Sequence, residues 1–287
     1  MKYRVDEEMT LMAFLMKKQY KRNTVKNLLK YENVMVDGQI QTYYAYLLKQ
    51  GQVIEVSKKK EETPLPILYE DKNIVVINKP CGLLSEGTDK EKEKTAFFIM
   101  KEYLKKKNEK IYLVHRLDQY TSGILMFVKN KSLYDQLTAS WNTVVKERGY
   151  VAIVEGTMKN KKGTIRNYLS ESKSQEVYIS NKKEGKLAVT HYKQIKTNKK
   201  YSLLEIQLET GRKNQIRVHL SSLHHPIVGD KKYGSKVNPI SRLALHHHRF
   251  SFVDPITHRS YQFTCATPLE FEQLFEIKKK SKTSYKK

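Results

Sequence analysis

The groups most able to do chemistry are concentrated in residues 111–130, which read IYLVHRLDQYTSGILMFVKN. Residues 111–114 and 124–128 are apolar runs of strand type. Between them lie His115, Arg116, Leu117, Asp118, Gln119, Tyr120, Thr121, Ser122 and Gly123. A loop this rich in functional groups, slung between two apolar strands, is where sites are usually built. Arg116 stands two residues before Asp118. A guanidinium close to a carboxyl keeps its pKa low, so Asp118 is expected to be ionised. An ionised carboxylate can act as a nucleophile or stabilise an oxocarbenium-like sugar centre. On composition alone the favoured reading is plainer: a turn aspartate that caps its own backbone.

Other elements must position such a loop. Leu204, Ile206 and Leu208 alternate, so a strand runs into a turn at Thr210-Gly211. A helix is expected from near Asn214, with Ile216, Leu220 and Leu223 on its inner face and Arg217 at its edge, available to a cleft. Upstream, residues 67–69 and 74–77 read as strands, and Asn78-Lys79-Pro80-Cys81-Gly82 breaks the second. Residues 91–106 read as an amphipathic helix with Phe97, Phe98 and Met100 partly inside. Residues 10–32 read as two short helices, one carrying Leu11, Phe14 and Leu15, the other Val25, Leu28 and Leu29, with Asn23-Thr24 as the cap of the second. Val34, Val36, the turn Asp37-Gly38, Ile40 and the later apolar run at 53–56 make a small hairpin sheet. The Lys/Glu-rich segment 57–66, with two prolines, reads as a linker.

Composition narrows the partners. The 287 residues hold 54 Lys+Arg against 30 Asp+Glu, a formal net charge of +24. Of this excess, +4 lies in residues 1–62, +6 in the last ten residues and +14 between. A basic balance spread through patterned sequence points to a polyanion, nucleic acid or an anionic membrane surface. No run approaches 18 apolar residues, so a membrane-spanning helix is excluded. No basic amphipathic helix with a large apolar face supports a membrane-surface role. The opening MKYRVDEEMT is too polar for a secretion signal. Two distant cysteines, Cys81 and Cys265, make neither a disulfide framework nor a metal pair, which fits a reducing cytoplasm. His246, His247 and His248 are consecutive and point in different directions, and His219, His224 and His225 lack partners at metal-site spacing, so no metal is expected. Neither a Walker loop nor GxGxxG is present, so no nucleotide cofactor is expected. The lysine tail 278–287 lacks apolar periodicity and is expected to be disordered.

The loop HRLDQYTSG closely resembles the HRLD-x-x-TSG signature of the RluA-type pseudouridine synthases. Further segments resemble that family in its order: NIVVINKPCGLL, KERGYVAIVEG, LETGRKNQIRVHL, then Pro226 to Gly234 and the segment from Arg242 to Pro268. Together they cover roughly residues 67–270. The resemblance implies Asp118 as catalytic nucleophile and Arg116 as the side chain that fills the gap left by a flipped uridine. It implies Tyr150 packed on the target base, Ile216 beside that base, and Arg217 paired with Asp118, holding it ionised and oriented. The family's arginine-aspartate is replaced here by Gln119-Tyr120, and its threonine-histidine by Lys213-Asn214. The family's histidine-proline gives way to Ser85-Glu86-Gly87, to which no role is carried. The segments from Pro226 onward are read as fold-building. Residues 21–56 resemble the alpha-L, ribosomal-S-four-like RNA-binding domain, which implies Lys21, Arg22 and Lys26 facing RNA phosphates.

The implied architecture is α+β: an alpha-L domain at 1–62, a pseudouridine synthase domain at 63–277 and the tail 278–287. The catalytic domain is expected to hold a mixed, mostly antiparallel sheet with flanking helices and a central cleft. The implied activity is isomerisation of a uridine in structured RNA, ribosomal or transfer, by a cytoplasmic monomer without cofactor. The competing class is a non-catalytic RNA-binding or ribosome-assembly factor on the same fold. A degenerate paralogue would often lose Asp118 or Arg217, and both are present.

Overall fold

The computed structural model describes residues 1–30, 33–56, 64–87 and 91–275. The expected tail and most of the expected linker lie outside these residues. The chain divides into two compact units, Met1–Thr63 and Pro64–Lys287.

The first unit contains β1 (Lys2–Arg4), β2 (Met9–Thr10), α1 (Leu11–Lys17), α2 (Arg22–Lys30), β3 (Val34–Val36), β4 (Gln39–Ile40), β5 (Leu47–Leu48) and β6 (Val53–Val56). One antiparallel sheet runs β1-β6-β3-β4, and β2 pairs with β5. Asp37 and Gly38 both take positive φ, 47° and 81°, as a tight hairpin turn requires. The Asp37 carboxylate then accepts from the Val53 N–H at 2.8 Å, tying the turn to β6. Leu11, Phe14, Leu15, Val25, Leu28, Leu29, Val34 and Ile54 form the unit's own core. Helix α2 starts at Arg22, so Asn23 and Thr24 sit in its first turn and are not its cap. The basic side chains of Lys21, Arg22 and Lys26 are exposed.

The second unit contains β7 (Ile67–Glu70), β8 (Ile74–Lys79), α3 (Ala96–Lys105), β9 (Tyr112–Leu113), β10 (Ser122–Val128), α4 (Lys131–Val144), β11 (Val145–Glu155), β12 (Lys162–Glu171), β13 (Val177–Ser180), β14 (Lys186–Thr197), β15 (Tyr201–Leu208), α5 (Gln215–Ser222), β16 (Leu245–Val253), β17 (Ser260–Thr264) and α6 (Leu269–Gln273). Among the described residues, eleven strands form one sheet, ordered β13-β12-β14-β15-β11-β16-β10-β8-β7, with β17 on β16 and β9 on β10. The pair β10–β16 is parallel and the other pairings are antiparallel. The central strand β10 is buried along its whole length, which matches its unbroken apolar run. At the β10–β16 crossing a Cβ on Gly123 would lie 2.2 Å from the His247 carbonyl oxygen, and Gly123 has φ +113°, so only glycine fits there. Helix α3 begins later than its pattern suggests: Thr95 caps it, accepting from the Phe98 N–H at 3.2 Å, and residues 92–94 form a separate short turn.

Candidate active site

Asp118 sits in the connection from β9 to β10, half-buried at mid-sheet. A pocket opens there, lined by Arg116, Leu117, Asp118, Thr121, Tyr150, Leu208, Gly211, Arg212, Gln215, Ile216, Arg217 and Leu245. These residues come from the 115–121 loop, from β11, from the end of β15 and the turn after it, from α5 and from the start of β16. Five of the eight expected site residues therefore share one pocket: Asp118, Arg217, Tyr150, Arg116 and Ile216. Lys21, Arg22 and Lys26 belong to the first unit.

The loop is held by the segment that follows β8. The buried Lys79 ammonium donates to three carbonyls: Leu83 at 2.6 Å, Pro80 at 3.0 Å and Gln119 at 3.0 Å. Ser85 Oγ donates to the Leu117 carbonyl at 2.8 Å and accepts from the Leu117 N–H at 3.0 Å. Gly82 N–H donates to the Gln119 carbonyl at 3.0 Å, and Gln119 Nε2 returns a bond to the Gly82 carbonyl at 3.1 Å. Asp118 is thus flanked on both sides by backbone pinned to one strand end. Burial pulls the Lys79 pKa down to about 8. Neither Lys79 nor Ser85 is singled out by the sequence, because a lysine at a strand end and a serine in a loop read as solvated.

Burial pushes the Asp118 carboxyl above its usual range, against the opposing pull of Arg217, the Asn214 backbone N–H and Lys79. This corrects the expectation of a lowered pKa. Arg116 is exposed and has no part in the balance, and desolvation outweighs the cations that do. The expected ion pair is corrected too. Arg217 Nε and Nη2 bind both oxygens of Asp230 at 2.7 Å, and Nη1 donates to Asn214 Oδ1 at 2.9 Å. The bidentate fork fits one carboxylate, and the buried Asp230 takes it, so Arg217 acts on Asp118 through space. The guanidinium also lies 4.8 Å from the centre of the Tyr233 ring. Asp230, read from sequence as fold-building, is the residue that fixes Arg217.

Helix α5 is buried on nearly every side from Gln215 to Leu220, although half of those residues are polar. The polar side chains each make hydrogen bonds, with the buried His219 Nε2 left without a partner among the described residues. Gln215 Nε2 donates to the Val189 carbonyl and to Thr190 Oγ1, and its Oε1 accepts from Thr210 Oγ1 and the Arg212 N–H, all at 2.8–3.0 Å. His219 Nδ1 lies 2.9 Å from Thr190 Oγ1. Asn214, ahead of the helix, takes the left-handed conformation with φ 53°, and its backbone N–H favours the ionised Asp118. Leu223, expected on the inner face, lies beyond the last turn and is partly buried.

Tyr150 forms an aromatic wall. Its ring stacks on His247, the residue opposite it on β16, with centres 4.4 Å apart and planes at 18°. His247 Nδ1 lies 2.7 Å from the Ile124 carbonyl and must donate to it, and burial lowers its pKa to about 4, so the ring beneath Tyr150 is neutral. Burial raises the Tyr150 phenol, which stays protonated as a donor at neutral pH. The pocket therefore offers a desolvated carboxylate, a flat aromatic face, apolar contacts from Ile216, Leu208 and Leu245, and guanidinium groups at the mouth.

The family model for RNA pseudouridylate synthase matches residues 73–222, which carry Asp118, Tyr150 and Arg217. The uncharacterized RNA pseudouridine synthase YhcT of Bacillus subtilis is 38% identical over 197 residues, 67% of this chain and 65% of that protein. The ribosomal large subunit pseudouridine synthase D of Blochmanniella floridana is 30% identical over 295 residues, 91% of each chain. The structure of human RNA pseudouridylate synthase domain containing 4 superposes with a TM-score of 0.60 at 26% identity, covering 72% of this chain and 90% of that one. The chain belongs to the RNA pseudouridylate synthase family, in its RluA branch, and its class is that of an isomerase converting uridine to pseudouridine in RNA.

Proposed function

We propose that this protein isomerises a uridine in ribosomal RNA, with Asp118 as the nucleophile. The observation that carries the proposal is the placement of Asp118: a desolvated carboxylate facing Tyr150 and Ile216, with Arg217 held close by Asp230. A uridine flips out of its stack, at about a few kcal/mol, and enters the pocket. Asp118 supplies electron density at the ribose as the bond from C1′ to N1 breaks. The uracil turns, C5 bonds to C1′ as the Asp118 carboxylate is released from it, and the proton lost from C5 is matched by one gained at N1. Tyr150 offers its face to the base and its hydroxyl as a donor. Arg116 stands exposed at the mouth, suited to fill the vacated stack with a planar cation. Reading the first unit as an alpha-L domain gives Lys21, Arg22 and Lys26 a role on RNA phosphates. Ribosomal RNA is favoured because the Blochmanniella relative, named for the ribosomal large subunit, aligns along 91% of both chains.

Pseudouridine mapping of total RNA from cells with and without this gene tests the reading. A ribosomal site that disappears with the gene supports it. Loss confined to transfer RNA, or no loss, rejects the ribosomal assignment.

A further inference from the structure

A second pocket, about 390 Å³, lies wholly within the first unit and is lined by Thr10, Met12, Arg22, Lys26, Tyr44 and Ala45. That volume falls in the range of roughly 300–1,000 Å³ common to small-ligand sites. Its chemistry is unusual for a surface hollow. Tyr43 and Tyr44 are 58% and 57% exposed, with ring centres 5.4 Å apart. Leaving two large rings in water costs free energy unless a partner covers them. Their backbone is fixed: the Met12 N–H donates to the Tyr44 carbonyl at 3.0 Å, the Tyr46 N–H to the Tyr43 carbonyl at 3.1 Å, and the Tyr43 N–H to Gln41 Oε1 at 3.0 Å. The rings are therefore presented on a preorganised support. Arg22 and Lys26 stand one turn apart on α2, exposed and, among the described residues, with no carboxylate within ion-pair distance.

An aromatic face beside two unneutralised cations matches one chemical class, a nucleotide, with a flat base and an anionic phosphate. Base faces are hidden within a duplex and are available only where a nucleotide is unpaired. We infer that this pocket holds an unpaired nucleotide of the RNA substrate, its base stacked on Tyr44 with the Tyr43 ring, tilted by 52°, against the edge of Tyr44, and its phosphate between Arg22 and Lys26. The inference rests on the RNA-modifying activity proposed above and adds to it a preference of the first unit for single-stranded RNA.

The test uses the full chain carrying Asp118→Asn, so that nothing turns over. It is titrated with a single-stranded eight-nucleotide RNA containing 2-aminopurine, and with a fully paired blunt-ended RNA duplex. The single strand is expected to bind with quenching of the 2-aminopurine. Adding Tyr43→Ala and Tyr44→Ala should weaken single-strand binding about tenfold or more and abolish the quenching, with duplex affinity unchanged. Tyr44→Phe should keep both, since stacking needs only the ring. Arg22→Gln with Lys26→Gln should reduce the salt slope by about 0.7, the value for the one phosphate no longer neutralised. Thermal unfolding of the exposed-site variants should match the parent chain. Equal losses on strand and duplex, or no loss on the strand, overturn the inference. Quenching that vanishes with Tyr150→Ala but persists with Tyr44→Ala assigns the base to the catalytic pocket and overturns it as well. Uridine isomerisation by the unmutated chain is measured in parallel: activity with no Tyr44 effect rejects only this pocket, whereas absent isomerisation rejects the reading beneath it.

Discussion

In the proposed reaction a carboxylate that attacks carbon gains from poor solvation, and Asp118 is kept in that condition. Its raised pKa has two consequences. The acid limb of the kcat/KM profile should stand above the usual carboxylate range, because activity requires the ionised form. Stability should respond in the opposite sense. A carboxyl whose folded pKa lies above its unfolded value of about 3.9 adds most to stability below that value and loses the contribution as pH rises through the folded pKa. At neutral pH the buried charge is a cost, so Asp118→Asn should raise Tm by about 2–4 °C, the shift that ~1 kcal/mol gives in a chain of this size. A calorimetric scan at pH 7 checks it, and at pH 3 the difference should shrink. Asp230 behaves differently. Asp230→Asn leaves the Arg217 guanidinium buried without its carboxylate, a loss of about 3–5 kcal/mol in denaturant unfolding, with turnover falling alongside. Neither Asp230 nor the direction of the Asp118 shift was legible in the sequence. Arg217 and Asp230 lie 13 positions apart, and what sets the carboxyl's pKa is the solvent removed around it, which spacing does not encode.

The elements divide in the same way. The Asp37-Gly38 hairpin, the alternation of β15 and the apolar run of β10 are local patterns, and the structure follows them. The N-terminal limits of α2 and α3 do not follow the pattern; for α3 the Thr95 cap decides it. Helix α5 looks amphipathic in sequence, yet Gln215, Arg217 and His219 are buried. Their partners Thr190, Thr210 and Asp230 come from other elements, so each of these three polar side chains is hydrogen-bonded where the helix packs. The strand end at Lys79 and the loop at Ser85 brace the site through backbone carbonyls, and carbonyls carry no sequence signature. Replacing Lys79 by Met should leave the Pro80 and Leu83 carbonyls without their donor, while Gln119 keeps the Gly82 N–H, and destabilise the chain by about 2 kcal/mol, at roughly 1 kcal/mol for each orphaned group. Because Lys79 also holds the Gln119 carbonyl next to Asp118, kcat should fall more than KM rises. Steady-state kinetics beside a urea melt separates the two effects.

At the scale of the whole molecule, the net charge of +24 is shared between two units with separate cores. A chain lacking residues 1–62 should bind RNA more weakly and with a flatter dependence on salt, since fewer phosphates are neutralised. Filter binding across a salt series reads both quantities, and an unchanged slope refutes an RNA role for the first unit. The proposed reaction turns on one carboxylate, Asp118. The most direct measurement replaces the native gene by one encoding Asp118→Asn and maps pseudouridine across ribosomal RNA, with RNA binding by the purified variant measured alongside. The account predicts that the site modified by the native protein becomes unmodified uridine while the variant still binds RNA. A site that stays modified in the Asp118→Asn cells would contradict it.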